Sequence, residues 1–360
     1  MTMRTFATTL AAIAVALLLA DLGAQNQTGP SAKLIPTRVV SLPGTSDSNS
    51  PALWETVDGL SRLFVFTSVA GLASRNWGTD VSRLTSLGEV GFENPPGHGV
   101  WFEAVISDVD GTWYGYYHNE WPAEVCDDAR TIPRIGAARS RDFGATWEDL
   151  GVVLEAPPNS HDCASTNTYF VGGVGDFSVV LDRDHRDLYF YFSQYVRRDT
   201  SQGVSVARLA WADRDAPVGK MSVWLRGNVW LPARAYVTDD RVRHIYPTGG
   251  PIYRASDDWH EGDVDAFWGP SVHWNTYLER YVMLLNRAQD ASWTQEGIYI
   301  AYASDLGGPS SWSAPQRLLA AGRWYPQVIG TDPSGTDKEA GEFARFFMSG
   351  RSEYVIQFMK

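Results

Sequence analysis

The chain has 360 residues and a formal net charge of −12 at pH 7. Binding to nucleic-acid phosphates requires clustered lysine and arginine, so this charge balance argues against a nucleic-acid partner. Aromatic residues make up 13% of the chain, which also contains 33 glycines and 19 prolines. This composition favours many short strands joined by tight turns, and no long stretch after residue 25 has helical periodicity. We therefore expect an all-β protein.

Residues 1–24 have the pattern of an export signal peptide. Arg4 gives a positively charged start, an apolar run extends from Leu10 to Ala20, and Leu22-Gly23-Ala24 provides a small-residue cleavage site. The run is short for a transmembrane helix, and no other segment is a candidate for a membrane span. The sequence thus predicts a secreted or periplasmic monomer in which residues 25–38 form a flexible lead-in.

Five times along the remaining chain, a short apolar strand with a polar residue at its start leads through a turn into an aromatic-rich strand. The first strands of these units begin within residues 49–54, 101–105, 175–180, 267–272 and 324–329. The second strands cover residues 63–66, 113–117, 188–192, 281–285 and 344–348. Repetition at this spacing is typical of a β-propeller. We predict one five-bladed β-propeller domain over residues 39–360, with the polar strand starts converging on a central funnel.

The two cysteines, Cys126 and Cys163, fall in polar loops between the second and third units. In an oxidising compartment such a pair favours a disulfide. The alternatives are two free thiols and a thiolate metal site. Histidine and aspartate residues lie nearby for the latter, but the Cys-x-x-Cys spacing of such sites is missing. We expect the disulfide, and no spacing in the chain indicates a bound metal or another cofactor.

The segment from Ser140 to Trp147, Ser-Arg-Asp-Phe-Gly-Ala-Thr-Trp, resembles the Asp-box of sialidases and related propellers. The segment Ser304 to Gly308, followed by Trp312, is a looser copy. The physical reason for the pattern is structural: the Asp side chain caps its own turn, and Gly permits a positive φ. Both segments therefore support a propeller and not an activity.

The segment Gly175-Asp176-Phe177-Ser178-Val179 resembles the third-blade Asp motif of the five-bladed glycoside hydrolases of the arabinanase, invertase and levansucrase superfamily. Those enzymes have a catalytic base Asp in the first blade, a supporting Asp in the third and an acid Glu in the fourth. The resemblance implies Asp47 as base, Asp176 as electrostatic support, and an oligosaccharide or polysaccharide as substrate. Some of these relatives hold a central cation, which no spacing here indicates.

The fourth unit departs from that pattern, because Trp268 stands where the superfamily has its acid Glu. Glu103, at the start of the second unit, is the favoured replacement as acid. Two aromatic residues precede it, and burial beside them raises the pKa of a carboxyl group. Other candidates for the proton donor are Asp263, Asp265 and His118.

The strand starts also predict residues that bind substrate, because aromatic faces stack on sugar rings and guanidinium groups hold hydroxyls or carboxylates. The predicted substrate-binding residues are Asn49, His118, Arg134, Asp265, Trp268, Arg287, Trp324 and Tyr325. The preferred function is acid–base hydrolysis of a glycoside by Asp47, Glu103 and Asp176. Structural roles stay open for the same residues, because strand-start Asp side chains also cap backbone and large aromatics fill the space between blades.

Three other functions stay open. A non-catalytic glycan-binding propeller is favoured by the missing Glu of the fourth unit and predicts binding without turnover. A sialidase requires three arginines around a carboxylate and a Tyr–Glu pair. Its candidates would be Arg134, Arg287, Arg323 and Tyr325, but the Arg-Ile-Pro opening motif of that family is absent. A structural scaffold predicts no saccharide binding.

Overall fold

The computed structural model describes residues 29–126, 129–157, 160–196, 202–225, 227, 229–233, 249–256 and 264–360. Their regular structure is almost entirely β-strand, arranged in five sheets. This confirms the predicted all-β, five-bladed propeller. Among these residues, no helix is long and apolar enough to cross a membrane. The predicted signal peptide, residues 1–24, and the alternative proton donor Asp263 lie outside the described residues.

The strands are named in chain order and grouped here by blade. β1 (Ser31–Ser41) precedes blade 1, which contains β2 (Ala52–Val57), β3 (Leu60–Val69), β4 (Leu72–Gly78) and β5 (Leu84–Glu89). Blade 2 contains β6 (Gly91–Phe92), β7 (Gly99–Ser107), β8 (Trp113–Pro122), β9 (Thr131–Ser140) and β10 (Thr146–Leu154). Blade 3 contains β11 (Val174–Leu181), β12 (Asp187–Gln194), β13 (Gly203–Ala210), β14 (Ser222–Leu225), β15 (Val229–Pro232) and β16 (Tyr253–Arg254). Blade 4 contains β17 (Ala266–Asn275), β18 (Arg280–Ala288), β19 (Gln295–Ala303), β20 (Gln316–Ala320) and β22 (Glu339–Ala340). Blade 5 contains β21 (Pro326–Gly330), β23 (Phe343–Met348), β24 (Arg351–Met359) and β1.

One strand of each blade lies toward the centre of the ring. These strands are β2, β7, β11, β17 and β21, and contacts between neighbouring ones join the blades. They coincide with the predicted first strands, and β3, β8, β12, β18 and β23 coincide with the predicted aromatic-rich second strands. The repeat seen in the sequence is thus the repeat of blades, and the polar strand starts meet near one axis.

The ring is closed by β1, which pairs antiparallel with β24 as the outermost strand of blade 5. Ser31 lies opposite Met359 in this ladder. The prediction of a flexible lead-in is therefore wrong for residues 31–38. The physical reason is that Ala32 and Leu34 pack against the apolar core shared by blades 4 and 5, while the backbone of β1 covers the edge that β24 would otherwise expose.

The turn between β9 and β10 contains the hydrogen bonds expected of Asp142. Its Oδ1 accepts the backbone N–H groups of Ala145 at 3.0 Å and Thr146 at 2.9 Å. Gly144 has a φ of 74°, and the buried Trp147 donates from Nε1 to its carbonyl at 3.0 Å. Asp142 therefore stabilises this turn, as the sequence predicts.

Cys126 and Cys163 form a disulfide, as predicted, with their Cα atoms 5.1 Å apart and a sequence separation of 37. We expect replacement of both cysteines by serine to lower the free energy of unfolding by about 3–4 kcal/mol, because the bridge removes conformational entropy from the unfolded chain. Urea unfolding of the double variant beside the wild type measures the difference, and reduced wild-type protein serves as the control. Equal midpoints for the variant and the oxidised wild type would contradict the expectation.

Candidate active site

Bulges interrupt three of the five central strands. The pairing register shifts at Glu103 in β7, at Asp176 in β11 and at Gly269-Pro270 in β17. A β-bulge inserts an extra residue into the strand and re-aims its side chain. Glu103 and Asp176 are such extra residues, and their carboxylate oxygens come within 4.8 Å of each other and of His118.

Asp176 lies at the centre of this group and is buried. Its Oδ1 accepts the hydroxyl of Tyr325 at 3.0 Å, and its Oδ2 accepts the hydroxyl of Tyr195. Asp176 and Tyr325 have φ angles of 43° and 55°, in the left-handed region that side chains other than glycine rarely adopt. Such conformations cost about 1–3 kcal/mol each and cluster at functional sites. Burial raises the pKa of Asp176, although His118 and the two tyrosine hydroxyls act in the opposite direction.

Glu103 lies beside His118 and Asp176 and is only 1% exposed. The backbone N–H of Asn49 donates to its Oε2 at 2.9 Å. Burial first, and the charge of Asp176 second, raise the pKa of Glu103 well above its ordinary value. The side chain of Asn49 donates to the carbonyls of Phe177 at 2.9 Å and Pro270 at 3.2 Å, which ties blade 1 to blades 3 and 4.

His118 connects Asp176 to a carboxylate that the sequence did not single out, Glu120. The backbone N–H of Asp176 donates to Nδ1 of His118 at 3.1 Å, and Nε2 lies 3.5 Å from Oε1 of Glu120. Thr131 donates from Oγ1 to Oε2 of Glu120 at 3.3 Å. Burial acts to lower the pKa of His118, whereas the contact with Glu120 and the charges of Asp176, Glu120 and Glu103 act to raise it.

A pocket of about 50 Å³ opens over these groups and is lined by three carboxylates and six aromatic rings. Its lining residues are Asp47, Glu120, Tyr169, Phe170, Asp176, Trp268, Trp293, Trp324 and Tyr325. The ring of Trp268 packs 4.5 Å from Trp293 and 5.7 Å from Trp324, between ring centroids. Trp268 is itself only 1% exposed, so its role in the wall is packing, whereas Tyr169 and Trp324 are the more accessible rings.

Asp47 lies just before β2 and lines the pocket as a half-buried side chain. Its pKa is raised to about 6 by burial first and by the charges of Asp176 and Glu120, with His118 acting in the opposite direction. A carboxylate with this pKa is ionised at neutral pH and is a stronger base than an ordinary aspartate. It is therefore suited to take a proton from a water molecule.

Most of the residues predicted from the sequence come together at this site. They are Asp47, Asn49, Glu103, His118, Asp176, Trp268, Trp324 and Tyr325. Glu120 was missed although it follows His118 by two positions on β8, a spacing that places both side chains on the same face of a strand. Tyr195 and Trp293 were also missed, because they lie outside the repeated strand starts.

Arg134, Arg287 and Asp265 do not line the pocket. Arg134 pairs with Glu155 at 3.7 Å and lies 3.7 Å over the ring of Trp121. Arg287 and Asp265 hold each other in a bidentate ion pair at 2.7 and 2.8 Å. In the described part of the chain, no arginine lines this pocket, which counts against the three-arginine clamp of a sialidase.

Glu103, His118 and Asp176 are also the residue types that bind metal ions, and their candidate ligand atoms lie within 4.8 Å of one another. Most of the candidate ligand atoms already accept hydrogen bonds, however. Nδ1 of His118 accepts a backbone N–H, and both oxygens of Asp176 accept tyrosine hydroxyls. Oε2 of Glu103 accepts the backbone N–H of Asn49, and we assign no metal to the three residues.

No family model matches the sequence, and no curated protein matches it. Solved structures with a similar fold include an endo-arabinase from Bacteroides thetaiotaomicron (11% identity, TM-score 0.49, 89% of this chain and 97% of that chain). Others are an exo-β-1,3-galactanase from Clostridium thermocellum (13%, 0.47, 89% and 62%) and the catalytic domain of a GH62 α-L-arabinofuranosidase from Coprinopsis cinerea (11%, 0.46, 92% and 96%). At such identities and scores, nothing about the substrate of this chain follows from the likeness.

Proposed function

We propose that this protein is a glycoside hydrolase that cleaves an oligosaccharide or polysaccharide in the pocket at the propeller axis. The observation that carries the proposal is the meeting of Asp47, Glu120 and Asp176 with aromatic rings in one pocket. Glycoside hydrolysis needs two carboxyl groups in different environments, one charged and one protonated. Aromatic faces beside them suit the apolar faces of sugar rings.

In this proposal Asp47 is the base, because it lines the pocket and its pKa of about 6 leaves it ionised at neutral pH. Asp176 is held in place by two tyrosine hydroxyls and acts on Asp47 through its charge. It is thus an electrostatic support, as the sequence predicts.

Glu120 is the better-placed acid. A general acid must come within hydrogen-bonding reach of the leaving oxygen. Glu120 lines the pocket with its side chain 30% exposed, whereas Glu103 is 1% exposed and does not line it. The role of Glu103 as acid, favoured from the sequence, stays a prediction that matched variants can decide.

Export to a secreted or periplasmic location, as a monomer, is part of the same proposal. Residues 1–24 support it by their signal-peptide pattern, and the disulfide supports it because such bridges persist in oxidising compartments.

The test is incubation of the purified protein with aryl glycosides and with arabinan, galactan and xylan, followed by measurement of released reducing sugar. Hydrolysis of at least one substrate, lost in Asp47→Asn, is the expected result. Binding of a polysaccharide without release of sugar would select the non-catalytic glycan binder instead. If the protein neither binds nor cleaves any of these substrates, the scaffold function remains.

We expect kcat/KM on the cleaved substrate to fall as the pH drops below about 6, because the base Asp47 becomes protonated. The same raised pKa means that the folded protein binds this proton more tightly than the unfolded chain. The contribution of Asp47 to stability is therefore largest at acid pH and declines as the pH rises from about 4 to 6. Unfolding measured at each pH separates loss of activity from loss of fold. A rate that stays constant from pH 7 to about pH 5 would contradict the assignment.

A further inference from the structure

We propose that His118 is a positioning residue that holds the Glu120 carboxyl group at the pocket wall by linking it to the backbone of Asp176. The inference rests on the proposed function, since it concerns the acid of that reaction. It changes the roles predicted for His118 from the sequence, which were contact with the substrate and donation of the proton.

The ring of His118 is anchored at Nδ1. The bulge and left-handed φ at Asp176 direct its backbone N–H at Nδ1 of His118, 3.1 Å away. Only a nitrogen with a free lone pair accepts a hydrogen bond, so this contact leaves the ring proton on Nε2.

Packing against the backbone of β11 and against two aromatic rings fixes the orientation of the His118 ring. A Cβ atom on Gly175 would lie 2.6 Å from Cε1 of His118, so glycine at this position lets the ring rest directly on the backbone of β11. The rings of Trp101 and Phe170 lie 5.7 and 6.1 Å from it, between centroids. The His118 side chain is only 4% exposed and does not line the pocket, so it has no surface to offer a sugar.

On the other side of the ring, Nε2 faces Oε1 of Glu120 without forming a hydrogen bond in the unliganded protein. The distance of 3.5 Å to Oε1 is long for a hydrogen bond, but such contacts in unliganded sites commonly shorten when substrate binds. Thr131 holds the other oxygen at 3.3 Å. When Glu120 gives its proton to the leaving oxygen, it becomes a carboxylate, and the Nε2–H then stabilises that product form.

The charged groups that face His118 favour a second ring proton. They are Asp176, Glu120 and Glu103, with Asp47 also acting on the ring, and their charges act to raise the pKa of His118. The backbone N–H at Nδ1 opposes this, because two N–H groups cannot point at each other. Burial also raises the pKa of Glu103 and Asp176, which reduces the negative charge that acts on the ring. The charges alone would leave both ring nitrogens protonated at pH 7, but the N–H of Asp176 directed at Nδ1 is incompatible with a proton there. We rest the proposal on this contact, which requires a neutral ring with its proton on Nε2.

Two variants test the contributions of the two ring nitrogens separately. In His118→Asn the amide oxygen takes the place of Nδ1 and nothing reaches Glu120, whereas in His118→Gln the amide nitrogen takes the place of Nε2. We expect His118→Asn to lower kcat about 10- to 100-fold with KM changed less than about threefold, because misplacement of a reacting group acts on the chemical step. His118→Gln should retain more of the wild-type kcat. Thermal unfolding of each variant checks that it is folded.

A second readout does not depend on turnover. Nitrogen-15 NMR of the imidazole groups at pH 7, with the His118 signals assigned by their absence in the two variants, should show a neutral ring protonated at Nε2. A doubly protonated ring, or one protonated at Nδ1, would overturn the proposal, as would wild-type kcat in both folded variants or a rise in KM alone. If the wild type cleaves no glycan, the proposed function fails, and the NMR spectrum alone decides the position of the ring proton.

Discussion

Asp176→Asn is expected to lower kcat on the cleaved glycan by about 100- to 1,000-fold while the protein stays folded. Asparagine tolerates the left-handed φ of 43° at this position and retains an oxygen that can accept a tyrosine hydroxyl. What it removes is the negative charge that raises the pKa of Asp47. Because burial raises the pKa of Asp176, ionisation opposes folding at neutral pH, so the melting temperature should stay equal or increase.

The matched control is Asp305→Asn, the same chemical change in an exposed turn where Asp305 accepts the N–H of Gly308 at 2.7 Å. Its turnover should equal that of the wild type. Steady-state kinetics and thermal unfolding of both variants measure the two effects. Unchanged kcat in a folded Asp176→Asn protein would remove Asp176 from the mechanism.

Glu120→Gln is expected to reduce kcat by a factor of about 100 to 10,000 on substrates with a poor leaving group. The loss should be much smaller on a dinitrophenyl glycoside, because that leaving group departs without a proton. Glu103→Gln keeps an oxygen for the N–H of Asn49 and removes a buried ionisable group. It should therefore lack this dependence on the leaving group.

The pair of variants decides between the two candidate acids. If Glu103→Gln shows the leaving-group dependence and Glu120→Gln does not, then the acid predicted from the sequence is correct and the placement of Glu120 is incidental. Both kinetic series use the same substrates, and circular dichroism confirms that each variant is folded.

The architecture could be predicted because blade packing repeats a local pattern. Each central strand needs apolar residues on both faces, and each turn needs small or polar residues, so the repeat is visible without any long-range information. Asp47, Asn49 and Asp176 could be located because they start such strands. The final convergence of their side chains follows from the circular arrangement and not from any single motif.

The parts that escaped prediction depend on contacts between distant segments. Glu120 becomes part of the pocket because His118 is anchored by the Asp176 backbone, 58 positions away. Arg287 looked available for a substrate, but Asp265 satisfies its guanidinium group at 2.7 Å. The bulges at Glu103 and Asp176 leave no pattern in the sequence, since one extra residue in a strand resembles ordinary alternation over such short lengths.

The pairing of β1 with β24 has a consequence for how the molecule acquires its structure. The two strands lie at opposite ends of the described chain, so the contact that completes blade 5 spans more than 300 positions. Loops of this size close slowly, and the ring stays open until the last strand has found the first. We infer that closure of the ring is a late event in folding. Because Ser31 and Met359 are paired, we also expect the fold to tolerate a circular permutation in which a peptide linker joins these two positions and the new termini lie in a surface turn between blades.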